Sequence, residues 1–172
     1  MNDKAQLHTM EGLLAAILMT MTVLMITQST AIVTPQNELA IDVQLEQIGS
    51  DTLKVIDIAP QTSIIRNNLT ECVASWDTTT EASYPTNNLE ILDNSISNLM
   101  PEILYNVNFA YTRNGNLTVK KVIIHGQPAD NAVVVRHYVT LTNETVKTMG
   151  GGWNLADDEI KVVEVRMTTW KV

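Results

Sequence analysis

The pattern of hydrophobic and polar residues divides the chain into three segments, and the first segment is the most apolar. After a short polar tip, an uncharged apolar run extends from Gly12 to Val33, directly behind Glu11. As a helix this run would measure about 33 Å, enough to cross a bilayer core of about 30 Å. The pattern therefore predicts a long hydrophobic N-terminal helix over residues 1–33, embedded in a membrane or in the core of an assembly.

The second segment, residues 34–60, has a helical period. Thr34-Pro35 interrupts the apolar run, because proline removes a backbone donor and restricts the residue before it. Beyond it, mostly apolar residues recur at spacings of three and four, which is one face of an amphipathic helix: Ile41, Leu45, Ile48, Thr52, Val55 and Ala59. Pro60 ends this helix, so the first helix is expected to continue into an amphipathic one.

The third segment, residues 61–172, has the pattern of a globular head. Residues 61–86 are predicted to be irregular, with Trp76 as a packing anchor, and a short helix is predicted before Pro101. From Ile103 the period becomes two, which indicates strands, and Asn114-Gly115 is a hairpin turn signal. We predict an α+β fold in which a long N-terminal hydrophobic helix continues into an amphipathic helix, and the amphipathic helix packs on a four-stranded antiparallel meander.

Composition excludes several classes of function. The 172 residues include 11 Lys and Arg against 19 Asp and Glu, a net charge of -8, which gives no electrostatic footprint for nucleic acid. Cys72 is the only cysteine, so neither an internal disulfide nor a cysteine-based metal site is expected. His8, His125 and His137 show no ligand spacing. We expect no enzyme activity, no metal and no cofactor.

Three N-glycosylation sequons follow the apolar run. They begin at Asn68, Asn116 and Asn143. If any of them carries a glycan, residues 61–172 lie outside the cell, so the sequons favour an extracellular head.

The N-terminal tip resembles a known signal. Lys4-Ala5-Gln6, followed by Glu11 and a long apolar run, is similar to the class III signal peptide of archaeal type IV pilin-like proteins. The resemblance implies that a prepilin peptidase cuts after Ala5 or after Gln6 and leaves the apolar helix on the mature protein. It also implies an assembly role for Glu11, whose carboxylate would pair with the N-terminal amine of a neighbouring subunit.

A second resemblance covers part of the head. The tip Gln6-Leu-His-Thr-Met-Glu11, Tyr105-Asn-Val107, Gly126–Ala132 and Val139-Thr-Leu141 together resemble an uncharacterised family of archaeal pilin-like membrane proteins. This resemblance implies a type IV pilin-like fold and carries no activity with it.

Three interpretations of the N-terminus remain open at this point. Residues 1–31 would be removed if the small residues up to Ala31 formed a signal-peptidase site. The segment would be a plain membrane anchor if Glu11 only marks the start of a helix at the membrane surface. In the third interpretation the protein is a structural subunit of an archaeal type IV pilus-like surface filament.

The filament interpretation and its alternative differ in partners. A filament subunit would associate with copies of itself or related pilin subunits after release by prepilin peptidase, and it would lie in the cell membrane or in an extracellular filament. The alternative is a non-polymerising, membrane-anchored extracellular domain that binds a ligand or partner. Neither function involves nucleic acid.

Overall fold

A computed structural model of the protein describes residues 3–28, 35–58, 67–80 and 89–171. The chain divides into two compact units, Met1–Glu38 and Leu39–Val172. The element order is five helices and four strands within the described ranges. We refer to the second unit as the head.

Helix α1 spans Asp3–Gln28 and belongs to the first unit. Its threonines bond back to the helix: the hydroxyl of Thr20 donates to the carbonyl oxygen of Ala16, and that of Thr22 to Leu18. Such bonds let hydroxyl groups lie on a helix surface without needing another partner.

The predicted fold class is wrong in its first part. Within the described ranges, no helix combines the length and the apolar character needed to cross a bilayer. The part of α1 beyond Glu11 comprises residues 12–28, about 26 Å of helix against a core of about 30 Å. The predicted continuation into the next helix falls on residues 29–34, which lie outside the described residues.

The remaining helices lie in the head, apart from the first four residues of α2, which belong to the first unit. Helix α2 (Pro35–Ile58) begins with the predicted proline, α3 covers Leu69–Ser75, α4 covers Glu90–Leu99 and α5 covers Asn143–Met149. Helix α3 lies within the segment predicted to be irregular, and α5 is a further helix that was not predicted. Both are only seven residues long, which is too short to show a helical period in the sequence.

The strands form one antiparallel sheet in the order β2-β1-β4-β3. They are β1 (Leu104–Arg113), β2 (Asn116–Ile124), β3 (Val133–Thr142) and β4 (Ile160–Trp170). The predicted meander order is wrong, because β4 inserts between β1 and β3 and bonds to both. The β1–β2 hairpin turns at Asn114 and Gly115, whose φ angles of 52° and 78° fit the predicted type of turn.

The core lies on one face of the sheet. Leu53 and Ile56 of α2 are fully buried together with residues from α3, α4 and all four strands. Gly49 lets α2 approach the sheet closely, because a Cβ atom there would lie 3.0 Å from Val135 Cγ2 and 3.3 Å from Met167 Cε. Because apolar and polar residues alternate along the strands, one face of the sheet packs into the core and the other faces solvent.

Candidate functional site

The described side chains of α1 form a long, exposed apolar surface. Every side chain from residue 10 to residue 26 is exposed. We call the following set, each at least 50% exposed, the α1 apolar surface: Met10, Leu13, Leu14, Ile17, Leu18, Met19, Met21, Val23, Leu24, Met25 and Ile26. Consecutive residues belong to the set, so it extends around the whole circumference of the helix.

The predicted processing and assembly residues all lie in α1. Ala5 and Gln6 belong to its first two turns, and Glu11 is exposed immediately before the apolar stretch. Because the helix begins at Asp3, Glu11 is not an acid of the first turn, and a dipole role at the helix start does not fit this position. Ala31, the alternative cleavage position, lies outside the described residues.

The three predicted glycosylation sites differ in access. Asn116 is exposed at the start of β2. Asn68 is half-buried and caps α3, where its Oδ1 accepts from the backbone N–H of Glu71 at 2.8 Å. Asn143 is buried, and its Nδ2 donates to Asp157 Oδ1 at 2.6 Å. The nitrogen that would carry a glycan is thus engaged at Asn143, which makes Asn116 the accessible candidate.

One histidine cluster joins α4 to the sheet. His125 Nε2 lies 2.7 Å from Asp93 Oδ1, and the Tyr105 hydroxyl donates to the same oxygen at 2.6 Å. Ser97 Oγ lies 2.7 Å from the Tyr105 hydroxyl rather than from the imidazole. Burial, with the Asp93 carboxylate adding to it, raises the pKa of Tyr105 well above its usual value, so the phenol stays neutral.

A second cluster joins α2 to β3 and α3. His137 Nε2 lies 2.9 Å from Asp57 Oδ2, and Thr70 Oγ1 donates to Asp57 Oδ1 at 3.1 Å. Among the described residues of these two clusters, no hydroxyl group is hydrogen-bonded to the imidazole. Neither histidine is therefore placed to activate a hydroxyl nucleophile as a general base. Both arrangements fasten helices to strands.

The remaining chemical candidates are a thiol and metal ligands. Cys72 is buried in α3, and its burial raises its pKa to about 12, which keeps the thiol protonated and unreactive at neutral pH. Across the part of the chain that the structure describes, no three His, Cys, Asp or Glu side chains are placed to hold a metal ion.

Two loops are tied together at the hairpin end of the sheet. The backbone N–H of Gly152 donates to Trp76 O at 2.9 Å, and Thr78 Oγ1 donates to Gly152 O at 3.2 Å. Trp153 Nε1 donates to Val73 O at 2.8 Å. Added Cβ atoms at Gly151 and Gly152 would overlap the backbone of Ala74 and Asp77, so these two glycines are closely packed.

An aromatic cluster lies beneath these loops. The Trp76 ring meets Phe109 edge-on with centroids 5.4 Å apart, and it meets Trp153 at 5.6 Å. Tyr111 and Trp153 pack edge-on at 4.9 Å. Edge-to-face pairs at such distances add to burial energy, so the cluster gives the loops a rigid base.

Above this base the structure has an open cleft of about 420 Å³, which we call the hairpin cleft. The residues that shape it include Thr78, Tyr111, Arg113, Asn114, Trp153 and Lys161. Sequence reasoning did not find this site, because its residues come from three separate segments with no common motif. Only the hairpin signal at Asn114 pointed to part of it.

Comparison with known proteins assigns a family. The model of the family described as "Family of unknown function (DUF7288)" matches residues 4–169. An uncharacterized protein of Archaeoglobus fulgidus is 28% identical over 174 residues, covering 99% of this chain and 94% of that protein. No solved structure matches. The family match covers both units, and the chain belongs to DUF7288, a family of unknown function.

Proposed function

We propose that this protein is a structural subunit of a pilus-like surface filament and assembles through the apolar surface of α1. The observation that carries the proposal is that every described side chain from residue 10 to residue 26 is exposed. Monomeric proteins rarely expose contiguous apolar patches above a few hundred Å², and larger patches usually mark interaction sites. The tip motif supports the same proposal.

Burial of α1 against other copies supplies the driving force in this proposal. Each large apolar side chain removed from water contributes about 1.5–3 kcal/mol. Because the apolar side chains surround the helix, several neighbouring helices are needed to cover them. A single flat partner would leave one side in water, so a multi-subunit assembly fits the surface better than a dimer.

Glu11 has a specific role in the proposal. Its carboxylate would pair with the N-terminal amine of a neighbouring copy, which forms after processing next to Ala5 or Gln6. Such a pair would be partly buried among apolar side chains, where removal of one charge is costly. Glu11→Ala should therefore impair assembly of the processed protein while leaving the head folded.

The experiment follows the protein processed next to Ala5 or Gln6, with α1 and the head both present, as detergent is removed. Electron microscopy and light scattering should detect ordered assemblies of the wild-type protein. Leu14→Glu places a charge on the α1 apolar surface and should reduce assembly at least tenfold. The matched control is Leu117→Glu, the same change at a similarly exposed position, 66% against 62%, on β2 of the head.

The outcomes separate assembly from a non-polymerising function. Assembly of wild type and Leu117→Glu, together with loss in Leu14→Glu, supports the proposal. A wild-type protein that stays monomeric after detergent removal would contradict it. Equal effects of the two substitutions would also contradict it, because α1 would then have no special role.

A further inference from the structure

We propose that the hairpin cleft of the head binds a carboxylate-bearing sugar, such as a hexuronate. This site is independent of assembly through α1, because all its residues belong to the head. The proposal rests on four observations: the charge of the cleft, its polar and aromatic lining, an unpaired buried hydroxyl and a strained backbone.

The cleft is locally cationic in an acidic protein. Arg113 and Lys161 both line it, whereas the chain as a whole has a net charge of -8. Glu159 also lines the cleft and lies 3.7 Å from Lys161 Nζ. Among the described residues Arg113 has no ion-pair partner, so one positive charge remains to receive an anion. The planar guanidinium suits a carboxylate.

The rest of the lining suits the hydroxyl groups and the ring of a sugar. Asn114, Asn154 and Thr78 offer amide and hydroxyl groups, and Trp153 adds an aromatic surface. Most small-molecule pockets are lined mainly by apolar side chains. This cleft is polar, and its volume of about 420 Å³ accommodates a monosaccharide or the end of a glycan.

Tyr111 supplies an unpaired buried group. The side chain lines the cleft and is only 4% exposed, and its hydroxyl has no hydrogen-bond partner among the described residues. A buried polar group left unpaired destabilises the folded protein. The hydroxyl oxygen itself is covered in the free protein, so a ligand hydroxyl, or a water held by the ligand, would supply the missing partner only after a small shift of the lining side chains.

The backbone is strained at the rim of the cleft. Thr78 has a φ of 63°, a left-handed conformation that is unfavourable for a β-branched residue. Its hydroxyl bond to Gly152 O and the neighbouring Asp77 turn hold it there. Strained residues of this kind cluster at ligand sites, and the position of Thr78 agrees with the other three observations.

The test is calorimetric titration of the full-length protein with sodium glucuronate, glucose and inorganic phosphate. Glucuronate should bind at least about tenfold more tightly than either of the other two, because only it offers both a carboxylate and a sugar. If glucose bound as tightly as glucuronate, the positive charges of Arg113 and Lys161 would have no role in binding. Equal binding of phosphate would reduce the cleft to a simple anion site, and no binding of glucuronate would overturn the proposal.

Two variants locate the binding in the cleft. Arg113→Gln should weaken glucuronate binding about tenfold, the size expected for a charged hydrogen bond. The control Arg136→Gln makes the same change on β3, outside the cleft, and should leave the affinity unchanged. Equal affinity of Arg113→Gln and wild type would overturn the proposal.

Tyr111→Phe separates binding from stability. Removal of an unpaired hydroxyl should leave the melting temperature unchanged or slightly raised, yet weaken glucuronate binding about fivefold. A merely structural tyrosine would give the opposite result, a lower melting temperature with unchanged affinity. That result would overturn the role assigned to Tyr111.

Discussion

Helix α1 and the head place their apolar side chains in opposite environments. In the head, residues such as Leu53, Trp76 and Met167 are fully buried in one continuous core. In α1, side chains of the same chemistry are exposed on every side from residue 10 to residue 26. The head buries its own apolar side chains, whereas the exposed apolar side chains of α1 would be buried only by contacts with groups outside its unit. Stability should therefore depend on the head, and association on α1.

A matched pair of leucines gives the largest expected contrast. Leu53→Ala empties a fully buried position and should reduce the free energy of unfolding by about 2–5 kcal/mol. Leu18→Ala changes an exposed position and should stay within about 0.5 kcal/mol. Urea unfolding followed by tryptophan fluorescence measures both, since Trp76, Trp153 and Trp170 all lie in the head. Similar losses from both substitutions would show that α1 supports the fold of the head.

Two glycines sharpen the same comparison. A Cβ atom at Gly152 would overlap the carbonyl oxygen of Asp77, so Gly152→Ala should destabilise the head by about 1–3 kcal/mol. A Cβ atom at Gly12 meets nothing within 4 Å, so Gly12→Ala should favour α1 by about 1 kcal/mol. Thermal melts followed by circular dichroism measure both changes. A Gly152→Ala protein as stable as wild type would mean that the two loops do not pack as described.

Local signals in the sequence predicted where the strands and the hairpin of the head lie, but they did not predict how the strands are ordered in the sheet. The alternation of polar and apolar residues placed the strands, and Asn114-Gly115 placed the hairpin, because turn geometry depends on neighbouring residues. The strand order depends instead on whether β3 pairs with β2 or β4 lies between β1 and β3. The alternation is identical for a meander and for the order β2-β1-β4-β3. No residue pattern distinguishes the two.

The candidate site shows the same limit. Residues on β1, β4 and the two tied loops form the hairpin cleft, and only the fold brings them together. The exposed apolar character of α1 was readable from the sequence, since it needs no distant contact. The predicted membrane-spanning helix was wrong for the described residues, and positions 29–33 of the predicted apolar run lie outside them.

Cysteine reactivity gives the next contrast. The buried Cys72 thiol, with a pKa of about 12, should react with a thiol reagent at pH 8 at least about a hundredfold more slowly than an exposed cysteine. The comparison is Thr20→Cys on α1, made in a Cys72→Ala background. Denaturant should remove the difference, because it exposes Cys72. Fast labelling of folded wild type would contradict the burial of α3.

Because the pKa of the Cys72 thiol is raised, the free energy of unfolding should depend on pH. In the unfolded chain Cys72 ionises near pH 9, whereas in the folded head it ionises only near pH 12. The folded state therefore binds the proton more tightly, and stability falls as pH rises between these values. Wild type should lose more stability from pH 9 to pH 11 than Cys72→Ala does. An equal loss in both would contradict the raised pKa.

The smallest expected effect comes from Asp77, in the loop that supports the cleft. Burial raises its pKa, but this is outweighed by hydrogen bonds from the Thr80 side chain and from the backbone N–H groups of Thr80 and Thr79, and the net pKa lies below its usual value. Its contribution to stability is thus present above the unfolded pKa of about 4 and is lost as pH falls through the folded value.

Asp77→Ala should therefore be slightly less stable than wild type at pH 7, and the difference should disappear near pH 2. Urea midpoints at the two pH values measure it. Asp51→Ala is the control, because Asp51 is an exposed acid on α2 whose Lys54 partner lies 3.7 Å away, and exposed pairs contribute little. If the stability difference between Asp77→Ala and wild type were the same at both pH values, the substitution would act through lost packing and not through lost charged hydrogen bonds. The Asp77 carboxylate would then not be what stabilises the loop beside the cleft.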